Sequence, residues 1–528
     1  MPYGRGMRGY WLAVALLGAA CSAGNTRVDQ PGADAGGRDA GPVDLGSQLD
    51  ADGPDQAVDA GPTDLGAETD LGFEGDASSD AGASGCWGPG ASDPEKYLGL
   101  LTCLRGPGPA ELQRDAIAAF VSEIKLGGGF PIVTSSQAIF VYVRDPAYDV
   151  EDDGLTAEDY DPDRRVGPIR VSGDFNGWVT TGLELREEVQ AFLHGAFPLD
   201  VATSDRWRYK FIAKNPQGDD IWYSDPLSRR HDYDQNGRIS VVRGGQSRGH
   251  LEQVGPLESA GIPARSLEVW LPPGYEHSNS RYPVLYLHDG NNLYSRFQPR
   301  SAPTSWEADQ VFEAELMAGN IAPFIAVGIP NSGARFDEYT QTTDTRTGSE
   351  VGGRANDYAN FLLTRVKPTI DERFRTQTAK ESTGVLGSSL GGLVSYYLGL
   401  HHPEVYGCVA GLSSSFWWGE SLGNPTMVDD YQADPDLPAQ AQRYYLDSGG
   451  GSGTGCPDGG ADNYCGTIAM RDLLVARGID TFPDDPDAVP LTPTGVDIYH
   501  WWTPDAPHNE SAWHERLARP LRLCFPAP

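Results

Sequence analysis

The stretch TGVLGSSLGGLVSYYLGL, residues 383–400, decides the fold. Gly384-Val385-Leu386-Gly387 is a short apolar run that suits a buried strand. Gly391-Gly392-Leu393-Val394-Ser395-Tyr396-Tyr397-Leu398 reads as the first turns of a packed helix. Between them, Gly387-Ser388-Ser389-Leu390-Gly391 fits G-x-S-x-G. In that pattern the central serine occupies a strained strand-to-helix turn, and the glycines let the backbone pack closely. Its hydroxyl stands at the carboxyl end of a sheet, beside a helix N-terminus that favours developing negative charge. The same five letters also suit an ordinary glycine-rich turn with a surface serine. The surrounding sequence has to separate the two.

From about Gln246 onward, strand-like runs alternate with helical patterns. The strands are RSLEVWLPPGYE, YPVLYLHDGNNL, APFIAVGIPN, STGVLGSS, VYGCVAGLSSS, QRYYLDSGGG and GVDIYHWWTPD. The helices are TSWEADQVFEAELMAG, DYANFLLTRVKPTIDERF, LGGLVSYYLGLHHP and TIAMRDLLVARG. That alternation predicts a mostly parallel sheet covered on both faces, the α/β-hydrolase setting a G-x-S-x-G turn requires.

Acyl transfer by Ser389 needs a base, a carboxylate to orient it, and backbone donors for the oxyanion. Three histidines follow the last strand–helix unit. His500 falls inside a strand, and His514 lies on the final helix, expected exposed. His508 sits in the loop of TPDAPHNESAWHERL, where the base belongs in the order Ser, Asp, His. The acid should follow RYYLD and precede TIAMRDLL. Asp462 is the preferred reading, with Asp458 and Asp447 also open. The oxyanion donors expected are the N–H of Leu390 and one from the loop Gly290 to Asn292, with Gly290 and Asn291 foremost. Arg335 and Glu338 of ARFDEYT either pair at a pocket rim or brace a loop. Trp417 and Trp418 either line the acyl pocket or pack beneath a lid. With Arg335 and Asn292 they form the expected substrate-binding set.

The blocks ARSLEVWLPPGYE, YPVLYLHDGNNLY, FIAVGIPNSGARFDEYT, GSSLGGLVSYY and APHNESAWHERL come in order over roughly 250–520. Together they resemble the esterase family that includes esterase D, enterochelin esterase, feruloyl esterases and mycolyltransferases. The resemblance implies an α/β hydrolase with nucleophile Ser389 and base His508, and no cofactor or metal. It leaves hydrolysis and acyl transfer both open. The Gly-rich loop at 449–465 is longer than the family's usual acid turn, which is why three aspartates compete.

Ahead of this region, residues 86–245 read as a helical lead-in, PAELQRDAIAAFVSEI, followed by short strands with Asp, Asn and Gly turns, as in a small immunoglobulin-like β-sandwich. The segments VSGDFNGW, YKF and DP resemble the early-set sandwich related to glycogen-binding modules. Phe175 and Trp178 are expected mainly as core and turn residues, with a weak glycan contact as the alternative. DYDQNGRIS at 232–240 fits the first half of a calcium loop, but Arg243 stands where a bidentate Glu is required. A hairpin turn is the better reading.

Residues 22–85 carry twelve Asp and two Glu against two Arg, and almost no aromatics. This composition cannot bury enough apolar surface to fold, and is expected to form an extended tether. Residues 1–21, with Arg5, Arg8 and the short apolar run Tyr10 to Ala20, read as a signal peptide ending at Cys21, in the manner of a lipoprotein. An exported protein anchored at the cell surface through Cys21, or secreted, is therefore expected. The net charge of −34 argues against a nucleic-acid partner; the family resemblance implies a small-molecule or polysaccharide-linked ester. Beyond Cys21 six cysteines remain, and export favours disulfides: of fifteen formal pairings, Cys86–Cys103 and Cys456–Cys465 suit local staples, which would leave Cys408 with Cys524, and the choice among the fifteen stays open. A surface binding protein with an inactive second domain is the competing reading.

Overall fold

The computed structural model describes residues 85–145, 148, 166–189, 191–199, 207–295, 305–346, 348–434, 442–450, 461–481 and 497–527. The expected signal peptide, Cys21 and the tether up to residue 84 lie outside them, as do Asp458 and Cys456. None of the described helices is long and apolar enough to cross a membrane.

The expected strands form. Strands 480–481, 497–502, 443–448, 408–412, 383–388, 284–288 and 325–329 lie side by side in that order, all parallel. The Ile262–Leu271 and His250–Ser259 strands then continue the sheet antiparallel. Each interior strand is buried on both faces, so its sequence runs apolar rather than alternating. One face packs Val284, Val327, Val385, Val409 and Leu446 against the helices carrying Tyr358, Phe361 and Leu393. The other packs Leu285, Ala326, Leu386, Ala410 and Tyr445 against Trp513, Leu517 and Leu521. This is the α/β-hydrolase fold.

The Leu390–His401 helix follows its strand with no intervening loop. Gly387 and Gly392 make that contact possible. A Cβ at Gly387 would meet the Gly391 backbone at 2.4 Å, and one at Gly392 would meet Ser414 Oγ at 2.2 Å. Any side chain at either position would push the helix off the sheet.

In the first part of the chain, the Asp93–Arg105 and Ala110–Leu126 helices pack on Ile139, Val141 and Phe192. Strands 132–133, 137–143, 192–198 and 186–189 form one antiparallel sheet. Ala138, Phe140 and Tyr142 of that sheet face Val171, Tyr209, Phe211 and Tyr223 of a second. The second sheet is hydrogen-bonded onward into the hydrolase sheet, through Leu251 opposite His231 and Glu252 opposite Arg230. The sheet is therefore continuous across the 242–249 connection, where the change of sequence pattern suggested a boundary. The DYDQNGRIS stretch forms a hairpin with Asp234 opposite Gly237. Phe175 packs among Phe140, Phe197 and Trp207, while Trp178 is half-buried beside Trp222.

Cys86–Cys103 and Cys408–Cys524 are bonded. The second bond ties the last helix to the strand beside that of Ser389 across 116 residues. Closing a loop of that length removes about 4–5 kcal/mol of unfolded-state entropy in the chain-entropy model.

Candidate active site

Ser389 has φ 55° and ψ −121°, a region closed to unstrained L-residues. Strain of this kind costs about 1–3 kcal/mol and must be held by its surroundings. Three backbone hydrogen bonds hold it: Ser389 N–H donates to Leu412 O at 3.0 Å, and Ser415 N–H and Leu393 N–H donate to Ser389 O at 3.0 and 3.1 Å. Ser389 Oγ lies 3.4 Å from Ser415 Oγ, and no hydrogen bond joins it to His508 among the described residues.

At the end of the neighbouring strands, Asp462 Oδ1 lies 2.6 Å from His508 Nδ1. The carboxylate is buried, with 1% of its side chain exposed, while the imidazole is 38% exposed. The other oxygen, Oδ2, accepts from Ser413 Oγ at 2.7 Å, from the Gly449 N–H and from Arg516 Nη2 at 3.4 Å. The edge of the Trp513 ring packs against the imidazole at 5.0 Å. Trp513 Nε1 donates to Ser413 Oγ at 3.1 Å. The Leu412–Ser415 turn thus touches Ser389 at both ends and Asp462 in its middle.

Of the three aspartates, the geometry brings Asp462 to His508. Asp447 lies behind it, fully buried, accepting from Arg516 Nε at 3.1 Å and from the Tyr445 hydroxyl at 2.8 Å. Burial pushes its carboxyl up, and the Arg516 charge only partly offsets this. His500 is buried in its strand, as expected. His514 differs from expectation: it is half-buried, with Nδ1 2.6 Å from Trp306 O.

The 288–292 loop closes the other side. Asp289 takes left-handed backbone angles, and its carboxylate accepts two hydrogen bonds from Arg335 at 2.6 and 2.8 Å and one from Asn331 at 2.6 Å. Burial would raise the Asp289 carboxyl, but the Arg335 charge and these bonds hold it below the usual range. A Cβ on Asp289's neighbour Gly290 would meet the Gly328 and Ile329 backbone at 2.6 Å. Asn291 Oδ1 accepts from Asn331 N–H at 3.3 Å. Asn292 Nδ2 donates to Glu510 Oε1 at 3.1 Å, two residues after His508. His288, fully buried, is pulled down to about 3 by burial and stays neutral across the physiological range.

Two expectations are corrected. Arg335 and Glu338 do not pair. Each finds a buried partner of opposite charge instead: Arg335 binds Asp289, and Glu338 binds Arg265 at 2.7 and 2.9 Å. Trp418 is 1% exposed, stacked on Phe336, with its N–H on Thr342 O, so it belongs to the core and not to a pocket wall. Its neighbour Trp417 is exposed and donates to Asn463 Oδ1 at 2.8 Å, one residue from Asp462. Sequence reading missed Ser413, Asp289, Trp513 and Arg516. Only Arg516 left a sequence signal: a cation on the apolar face of the helix that follows His508.

The strained serine at a strand-to-helix turn and the Asp–His pair in the loops after the neighbouring strands share one chain with the α/β-hydrolase sheet. Residues 264–481 match the family model described as "Putative esterase". The chain is 28% identical over 184 residues to an endo-1,4-beta-xylanase/feruloyl esterase of Xylanibacter ruminicola, covering 34% of this chain and 24% of that protein. It is 37% identical over 71 residues to an iron(III) enterobactin esterase of Escherichia coli, covering 13% and 18%. A solved enterobactin esterase from Shigella flexneri overlays with a TM-score of 0.36 at 17% identity, covering 74% of this chain and 94% of that one. The chain spans 58% of one further curated relative and less of the two named.

Proposed function

We propose that the chain is a serine carboxylic-ester hydrolase. Ser389 Oγ attacks the ester carbonyl carbon while His508 Nε2 takes its proton. Asp462 holds Nδ1–H and stabilises the imidazolium. The oxyanion is received by the N–H of Leu390 and by one from Gly290 or Asn291. The imidazolium then protonates the departing alkoxide, leaving an acyl-enzyme. Water, deprotonated by His508, releases the acid and restores Ser389. The hydrogen bond between nucleophile and base commonly tightens only with substrate bound, which accommodates the resting contact of Ser389 with Ser415.

The observation carrying this reading is the 2.6 Å Asp462–His508 pair, joined through Ser413 to the Leu412–Ser415 turn that bonds the strained Ser389. Substrates fall within aromatic acyl esters, feruloyl saccharides or catechol siderophores, with exposed Trp417 as a stacking surface. The catalytic part is 246–528, preceded by 86–245 and exported on a Cys21 anchor. The test is turnover of p-nitrophenyl acetate, a feruloyl saccharide and a catechol siderophore by wild type, Ser389→Ala and His508→Ala. Loss of turnover in both variants supports the reading, and retention in either contradicts it.

A second reading has one observation behind it. Trp178 and Trp222 lie 6.2 Å apart beside a cavity of about 520 Å³ that also holds Arg208, Lys210 and Asp234, a surface suited to a sugar ring. Retention on insoluble polysaccharide, lost in Trp222→Ala with esterase turnover kept, supports it. Equal retention of wild type and variant rejects it.

A further inference from the structure

At the amino ends of the parallel strands, away from Ser389, lies a cavity of about 520 Å³. It is walled by the turn after the Ala110–Leu126 helix, by Arg229 and Arg230, and by the segments around Tyr275 and Phe374. Tyr282, which leads into the Val284–His288 strand, donates to Arg375 O at 2.8 Å and fixes the cavity against the hydrolase sheet.

Five guanidinium groups line it, from Arg229, Arg230, Arg243, Arg373 and Arg375, against three carboxylates. Each carboxylate is already engaged. Glu276 takes Arg230 at 2.6 Å, Arg243 at 3.5 Å and the Gly244 N–H at 2.7 Å. Glu252 forms ion pairs with Arg229 at 2.9 Å and Arg230 at 3.7 Å, although its Oε2 accepts no hydrogen bond among the described residues. Asp93 takes the Gly128 N–H at 2.7 Å and lies 3.7 Å from Lys96.

Arg373 and Arg375 are left with no carboxylate among the described residues. Arg375 lies 3.8 Å over the Tyr275 ring and donates to backbone carbonyls. Among the described residues Arg373 donates to Lys125 O at 3.4 Å, and its Nε has no acceptor. Arg230, with 9% of its side chain exposed, also has an Nη1 without an acceptor. Burial, aided by the charges of Arg229 and Arg230, pulls the Arg373 guanidinium down. An excess of partly buried positive charge is costly to hold unless an anion meets it.

His250, Glu252 and Glu276 come within 4.8 Å of one another, but the arginines that neutralise both glutamates make this a poor cation site. We propose that the cavity binds a tetrahedral oxyanion, a phosphate or a sulfate, free or carried on a small molecule, with Arg373 and Arg375 as its ligands. Guanidinium forks match such tetrahedral anions bidentately. The volume exceeds that of a bare oxyanion, so a small phosphate or sulfate ester also fits.

The test is thermal unfolding and titration calorimetry of the full chain with inorganic phosphate, inorganic sulfate or chloride at constant ionic strength. A saturable rise in Tm of roughly 2–4 °C is expected with phosphate or sulfate and none with chloride. Which of the two gives the larger rise names the preferred group. Arg373→Gln should abolish the rise while leaving ester turnover unchanged, and that turnover also checks folding. Should the variant not fold, calorimetry on the wild type decides: one saturable site per chain supports the proposal. No saturable binding, or a full response kept in Arg373→Gln, overturns it.

Discussion

The two ends of the parallel sheet handle charge in opposite ways. At the carboxyl ends, buried carboxylates meet guanidinium groups: Asp289 with Arg335, and Asp447 with Arg516. At the amino ends, arginines outnumber carboxylates around an open cavity. Matched pairs fix geometry, because each ion is bound in direction and distance and leaves no charge over. Unmatched charge fixes nothing and calls for a ligand. The comparison teaches that paired charge at the rim suits the proposed ester chemistry, and surplus charge at the junction suits the proposed anion.

The sharpest way to break the rim half is at its centre. Ser389→Ala should lower kcat by about a thousandfold or more, with KM little changed, in steady-state ester hydrolysis. Asp462→Asn should follow at about a hundredfold or more, because the amide favours the wrong imidazole tautomer. Asp447→Asn should cost far less turnover, since that carboxylate meets Arg516 and not His508. Equal losses in the two Asp variants would erase the distinction between orienting acid and buried brace.

The next effect is on stability. Glu338→Gln removes the charged partner of Arg265, a pair with 0% and 5% side-chain exposure. Breaking such a pair should cost about 3–5 kcal/mol in denaturant unfolding, since a buried cation is stranded. A surface pair such as Arg354 with Asp357 should cost under about 1 kcal/mol.

A smaller effect concerns pH. His288 is held down to about 3 by burial. A free histidine titrates near 6.5, so between those values the unfolded chain binds the proton and the folded chain does not. Its contribution to stability is full above pH 6.5 and declines as the pH falls toward 3. His288→Gln, which keeps a polar group beside the Tyr358 hydroxyl, should flatten Tm against pH over that window. Asp225, raised to about 6 by burial, acts oppositely: its folded form keeps a proton the unfolded chain has lost, so stability falls as pH rises from about 4 to 6. Asp225→Asn should remove that decline.

Much of this was legible in the residues. The apolar strand runs, the glycines around Ser389 and the loop position of His508 are local signals, and each landed where its pattern placed it. Asp462 was legible only as one of three, because nothing in the 449–465 loop says which carboxylate turns toward the imidazole. The buried ion pairs were not legible. Arg335 and Glu338 stand three apart, the spacing of a helical pair, yet Asp289 and Arg265, distant in sequence, capture them. Trp417 and Trp418 are adjacent, so one faces out when the other packs inward, and the letters do not say which. The continuous sheet across the 242–249 connection arises from backbone pairing of Leu251 with His231, which leaves no composition signal.

The most direct test of the central claim is peptide mapping after reaction of the folded full chain with a fluorophosphonate. The account predicts one adduct, on Ser389, absent in Ser389→Ala and strongly slowed in His508→Ala. A folded protein that takes no label, or takes it on another serine such as Ser415, would contradict it.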